Sequence, residues 1–113
     1  MTAQIEFWFE FASTYSYPAA FAVEERAKAR GVRVVWRSFL LAPIFASQGW
    51  RDSPFNIYPT KGAYMWRDIE RRAARYGIPA RVPAPYPLPD LELANRIAVL
   101  AGMEGWCGAY VKA

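Results

Sequence analysis

Gln4-Ile5-Glu6-Phe7-Trp8-Phe9-Glu10-Phe11, followed by Ala12-Ser13-Thr14-Tyr15-Ser16, decides how this chain folds. The first eight residues alternate. Ile5, Phe7, Phe9 and Phe11 share one face and Glu6, Trp8 and Glu10 the other, which predicts a β-strand over 4–11. Trp8 on the second face predicts partial cover on both sides. The small hydroxyl residues that follow signal a helix start. Residues 17–30 then keep helical spacing. Ala20, Phe21, Val23 (or Glu24) and Ala27 face inward, and Glu24, Glu25, Arg26, Lys28 and Arg30 face outward. Pro18 suits a first turn, where a missing N–H costs little, and Gly31 ends the helix. Residues 32–38, Val-Arg-Val-Val-Trp-Arg-Ser, read as a second strand. The unit is therefore βαβ, with parallel strands and a right-handed crossover.

Beyond it, residues 39–61 form a long connection with one short helical turn over 43–47, and so long a connection is usually functional. Residues 62–76 are helical, with Met65, Trp66, Ile69, Ala73 and Tyr76 inward and Asp68 and Arg72 in i,i+4 register outside. Pro79, Pro83, Pro85, Pro87 and Pro89 make the next stretch extended and stiff. Asp90 caps a further helix to about Ala101, with Gly102 as its stop, and 103–113 has helical character.

The chain has 113 residues, 54% hydrophobic and 17% aromatic, which suits one compact domain and excludes disorder. It contains no histidine, which removes Ser-His-Asp and Cys-His triads and histidine zinc sites. Its single cysteine, Cys107, removes an internal disulfide, a Cys-x-x-Cys redox pair and a cysteine metal site. Cys107 lies in an apolar helical context and reads as an idle thiol. The net charge of +4 permits an anionic ligand. The basic helix over 67–75 is interrupted by Asp68 and Glu70, so no nucleic-acid surface is expected. No apolar run reaches the ~18 residues of a membrane span. Glu6 follows the N-terminus too soon for a signal peptide, and the expectation is a cytoplasmic protein.

Three features carry chemistry. Ser13 stands where a strand hands over to a helix, at the end of a parallel sheet where ligands gather and where helix N–H groups favour an anion. Its hydroxyl can donate to a bound thiolate, or Ser13 or Ser16 simply caps the helix. Asn56 and Lys61, in Ser53-Pro54-Phe55-Asn56-Ile57-Tyr58-Pro59-Thr60-Lys61-Gly62, can meet an amide and a carboxylate, or belong to an ordinary turn. Tyr86, in the proline run, can line a flat aromatic pocket or sit on a plain spacer.

Phe9-Glu10-Phe11-Ala12-Ser13-Thr14-Tyr15-Ser16-Tyr17, the block Ser53 to Arg71, and Tyr76-Gly77-Ile78-Pro79 resemble the 2-hydroxychromene-2-carboxylate isomerases, relatives of the kappa-class glutathione transferases in the thioredoxin superfamily. Thr14 departs from the family's usual proline and leaves the hydroxyl in place. The resemblance implies an α/β, thioredoxin-like βαβ half with the active-site loop over 1–61. It implies the start of an all-helical insertion over 62–113, with the C-terminal half of the fold missing. Ser13 then holds and activates the sulfur of glutathione, with Thr14, Tyr15 and Asn56 also at the cofactor. Asn56, Lys61 and Tyr86 meet the small aromatic substrate. Ser16 stands at the place of a second redox cysteine. The implied reaction converts 2-hydroxychromene-2-carboxylate to trans-o-hydroxybenzylidenepyruvate in aromatic catabolism: the glutathione thiolate adds, a double bond becomes rotatable, and elimination fixes the trans geometry. A homodimer without metal is implied. A kappa-like transferase or peroxidase, and a shortened non-catalytic module needing a partner, are the alternatives.

Overall fold

A computed structural model describes residues 2–85 and 88–113. The element order is β1 (Gln4–Phe9), α1 (Ser16–Lys28), β2 (Arg33–Ser38), α2 (Ala42–Ser47), α3 (Pro54–Ile57), α4 (Pro59–Tyr76), α5 (Leu91–Glu104) and α6 (Cys107–Lys112). The chain packs as two compact units, residues 2–39 with 88–113, and residues 40–85. In the first unit α5 packs on β2 and α6 on α1.

In the first unit β1 and β2 pair in parallel, from Gln4 opposite Arg33 to Phe9 opposite Ser38. The alternation of β1 holds as far as Phe9, where the chain leaves the sheet two residues earlier than its pattern predicts. Phe9, Ala98, Ala101 and Cys107 form the buried centre, with Phe7, Phe11, Trp36, Tyr110 and Val111 around it. Trp36 meets Phe7 and Phe9 edge-on at 5.2 and 5.6 Å between ring centroids, and Phe11 meets Tyr110 at 5.8 Å. Such edge-to-face pairs add to the gain from burial. The cover on both faces expected from Trp8 is absent among the described residues. Trp8 is 57% exposed, and its indole N–H donates to Glu6, which also pairs with Arg37.

Gly102 does not stop α5. It lies inside the helix, close to the Trp36 carbonyl. The stop is Gly105, whose φ of 86° is the left-handed conformation a glycine supplies cheaply. Trp106 N–H then donates to Ala101 O at 2.9 Å and closes the turn into α6.

Glu24, which the helical period allows on either face, turns its carboxylate toward β2 and α6. Its carboxylate accepts from Trp36 Nε1 of β2 at 2.9 Å and from Lys112 Nζ of α6 at 2.7 Å. Gly108 on α6 backs onto this group, and a Cβ there would overlap the Glu24 carboxylate and crowd the Trp36 indole. Two consecutive elements and the distant α6 thus meet at one carboxylate.

In the second unit α4 begins at Pro59, ahead of the predicted Gly62. Proline's fixed φ suits the first helical turn, which a reading that starts at the glycine overlooks. Gly62 is a contact point instead, because a Cβ there would collide with the Phe55 carbonyl of α3. Gly62, Met65, Ile69 and Ala73 make the buried stripe, whereas Trp66 is half-buried and Tyr76 exposed. Arg72 pairs with Asp68 at 3.0 Å on the outer face, as the spacing predicts. Among the described residues no helix is long and apolar enough to cross a membrane.

The hydrogen bond from Lys112, opposed by partial burial and helped by Trp36, holds the Glu24 carboxyl below the usual carboxylate range. A carboxyl depressed in the folded state adds stability at neutral pH that is lost as pH falls below its ordinary value of about 4.3. Glu24→Gln should therefore destabilise the protein at pH 7 by about 1 kcal/mol or less. The difference from wild type should shrink at pH 3, measured by urea unfolding.

Candidate functional site

The site begins where β1 runs out. Glu10, next after Phe9, is 3% exposed, and its carbonyl accepts from Ser13 N–H at 3.1 Å, closing a tight turn. Ser13 Oγ accepts from the N–H of Ser16, the first residue of α1, at 3.3 Å. Ser16 Oγ in turn lies 3.4 Å from the Glu10 N–H, at the long end of a hydrogen bond. Two serines three apart thus tie the strand end to the helix start. The N-cap position itself belongs to Tyr15, which makes no capping bond with its side chain.

The capping role and the ligand role of Ser13 are compatible. A hydroxyl that accepts from a backbone N–H keeps its own proton to donate. Ser13 and Thr14 are half-buried and Tyr15 is exposed. The first turn of α1 carries no acidic side chain to oppose an anion at the helix's positive end. Sequence reasoning missed Glu10 as a buried group of this turn; the signal was a carboxylate on the last alternating positions of the strand.

Asn56 and Lys61 belong to the second unit. Ser53 Oγ accepts from Phe55 N–H at 3.3 Å and starts α3. Asn56 Nδ2 donates to Asp52 Oδ1 at 3.2 Å, which leaves its carbonyl oxygen turned to other donors. Lys61, in the first turn of α4, holds its ammonium 5.9 Å from the centroid of the Phe55 ring, and no described residue forms an ion pair with it within 4 Å. Asn56 and Lys61 are both exposed. Tyr86 lies outside the described residues. Cys107 is buried in the core of the first unit. Burial, with the Glu24 charge near it, pushes its thiol up, so it is no thiolate nucleophile at neutral pH.

The βαβ unit thus carries Ser13 and Ser16 at the turn between its first strand and its helix. Residues 4–113 match the DsbA-like thioredoxin domain, and the chain belongs to that family. It is similar to a 2-hydroxychromene-2-carboxylate isomerase of Sphingobium xenophagum, 30% identical over 95 residues, covering 83% of this chain and 48% of that protein. It is also similar to a solved 2-hydroxychromene-2-carboxylate isomerase, with a TM-score of 0.79 and 28% identity over 96% of this chain and 52% of the other. The chain thus spans about half the length of the relatives it matches. The thioredoxin-like fold and the likeness to this isomerase family, read from the sequence, both hold.

Two outcomes test the site's framework. Gly62→Ala should cost about 1–3 kcal/mol, since neither backbone at the contact can move aside, and should speed amide exchange over residues 54–62. Cys107 should react with iodoacetamide at pH 7.5 on the order of a hundredfold more slowly than a free cysteine, and at the free rate in denaturant.

Proposed function

We propose that the chain carries the thiol-binding half of a glutathione-dependent isomerase, acting on 2-hydroxychromene-2-carboxylate and as a homodimer. The observation that carries this reading is the Ser13 hydroxyl, anchored by Ser16 N–H at 3.3 Å at the positive end of α1, in a family where this chain has no cysteine of its own to offer there. The donor set fits a thiolate: a hydroxyl proton, a helix N-terminus without acidic residues in its first turn, and a half-buried setting.

Bound glutathione supplies the thiolate that makes a conjugated double bond rotatable and then departs. Ser13 donates its proton to that sulfur and favours the ionised form, as a charge-assisted hydrogen bond does. Ser16 N–H keeps the Ser13 oxygen in place, so the donor needs no reorganisation. Thr14 and Tyr15 border the same turn. Lys61 offers its ammonium to the substrate carboxylate, and the Asn56 carbonyl accepts from a ligand N–H or hydroxyl. Tyr86 takes the aromatic ring. The support is the Ser13 geometry together with the similarity to named isomerases.

Titration with glutathione, followed by calorimetry, tests the reading. Wild type should bind saturably in the millimolar range or tighter. Ser13→Ala should bind roughly 10- to 100-fold more weakly, the value of one hydrogen bond to a charged group. Its unfolding midpoint, measured alongside, accounts for the lost tie to α1. Absence of saturable binding in wild type, or equal affinity in Ser13→Ala, overturns the assignment.

A further inference from the structure

The end of the sheet that carries Ser13 holds a second polar group, which the proposed function leaves unused. Ser38 ends β2 opposite Phe9, and its hydroxyl donates to Asn95 Oδ1 on α5. Both residues are half-buried. From Asn95, α5 runs back along β2, and Gly102, two turns on, lies close to the Trp36 carbonyl. α1 runs back in the same way, with Glu24 reaching the Trp36 indole. Both helices thus begin at one end of the sheet, the end where ligands of parallel sheets gather. Tyr110 of α6 links them. Its ring meets Phe11, two residues before Ser13, at 5.8 Å between centroids. Its hydroxyl donates to the carbonyl of Ala94, next to Asn95, at 3.2 Å. Phe9 pairs with Ser38, and Glu10, the next residue, closes a tight turn with Ser13. The Cα atoms of Ser38 and Ser13 therefore lie within about 16 Å. Side chains at both ends shorten that gap, and an extended tripeptide of about 10 Å bridges the rest.

We propose that Asn95 is a further ligand-binding residue of the Ser13 site, and that Ser38 positions it. The proposal rests on the thiol-binding role of Ser13. Ser38 engages the carboxamide oxygen, so the amino group, with two protons, is the part presented to a ligand. A neutral N–H donor matches a carbonyl oxygen, whereas a carboxylate is better met by a cation. The proposed reaction supplies such an oxygen from two sources, the peptide carbonyls of glutathione and the 2-oxo group of the hydroxybenzylidenepyruvate. Phe11 and Tyr110 lie between the two polar ends and form an apolar floor under either ligand.

Asn95→Asp isolates the donor. The Ser38 hydroxyl keeps an oxygen to donate to, and only the amino group is exchanged for an acceptor. Calorimetry with glutathione, then with the hydroxybenzylidenepyruvate at saturating glutathione, reads the two sources. Asn95→Asp should weaken one of these bindings on the order of tenfold. A loss with glutathione assigns the oxygen to a peptide carbonyl, and a loss confined to the second ligand assigns it to the 2-oxo group. Asn95→Ala, which brings no charge, should lose about as much; full affinity in Asn95→Ala reduces the effect to charge repulsion and overturns the proposal. Ser38→Ala should cost about threefold alone and nothing further in the Asn95→Asp background, as expected of a residue that acts through Asn95. Independent losses remove Ser38 from the assignment. Urea unfolding midpoints of each variant separate lost affinity from lost folding. Unchanged affinity for both ligands in Asn95→Asp overturns the proposal and leaves the Ser13 reading standing. So does NMR detection of Asn95 side-chain amide protons protected from exchange before any ligand is added, since another stretch of polypeptide then holds them. Wild type without saturable glutathione binding overturns both readings.

Discussion

The first unit depends on how closely its last two helices approach the aromatic side chains of its two strands. Phe9 and Trp36 are large and meet edge-on. What packs on them is small: Ala98 and Ala101 on α5, and Gly108 on α6 beside the Trp36 indole. An alanine buries little area itself, but it lets a helix backbone lie near a ring, and burying one phenylalanine is worth roughly 1.5–3 kcal/mol. The same closeness delivers Trp36 Nε1 and Lys112 to Glu24, so a polar tie follows from an apolar fit. Larger residues at these positions would lift the helices and break both.

This packing also fixes where the strand-to-helix turn sits. Phe9 is the last residue β1 can commit to the core, and the chain must turn at once. The turn puts Ser13 just ahead of α1, where its oxygen accepts from the Ser16 N–H. The second unit solves a different problem with similar means. Gly62 lets two helix segments touch at the Phe55 carbonyl. The Lys61 ammonium lies 5.9 Å from the centroid of the Phe55 ring, at the outer limit of a cation–π contact.

Much of this was legible in the residues. The period of two in Gln4–Phe9, the helical period in Ser16–Lys28 and the turn residues between them are local signals, and they fixed the βαβ order and the position of Ser13. The i,i+4 pair of Asp68 and Arg72 was equally plain. Other features were not. Gly102 and Gly105 are the same residue type three apart, and only the backbone conformation tells the packed glycine from the terminating one. Trp8 looked like a residue to be covered, and the described structure leaves it exposed on the sheet's second face.

The amino-acid sequence alone determined the strand and helix periods, a composition with no histidine and one cysteine, and the hydroxyl at the strand-to-helix turn. Each depends on residue identity and spacing within a few positions. Tertiary structure decided that α5 and α6 join the βαβ unit, that Glu24 faces Trp36 and Lys112, and that Gly62 and Gly108 are points of contact. Those outcomes turn on groups as far apart as Glu24 and Lys112, brought within 2.7 Å. No local pattern encodes which distant surface an apolar stripe will bury itself against.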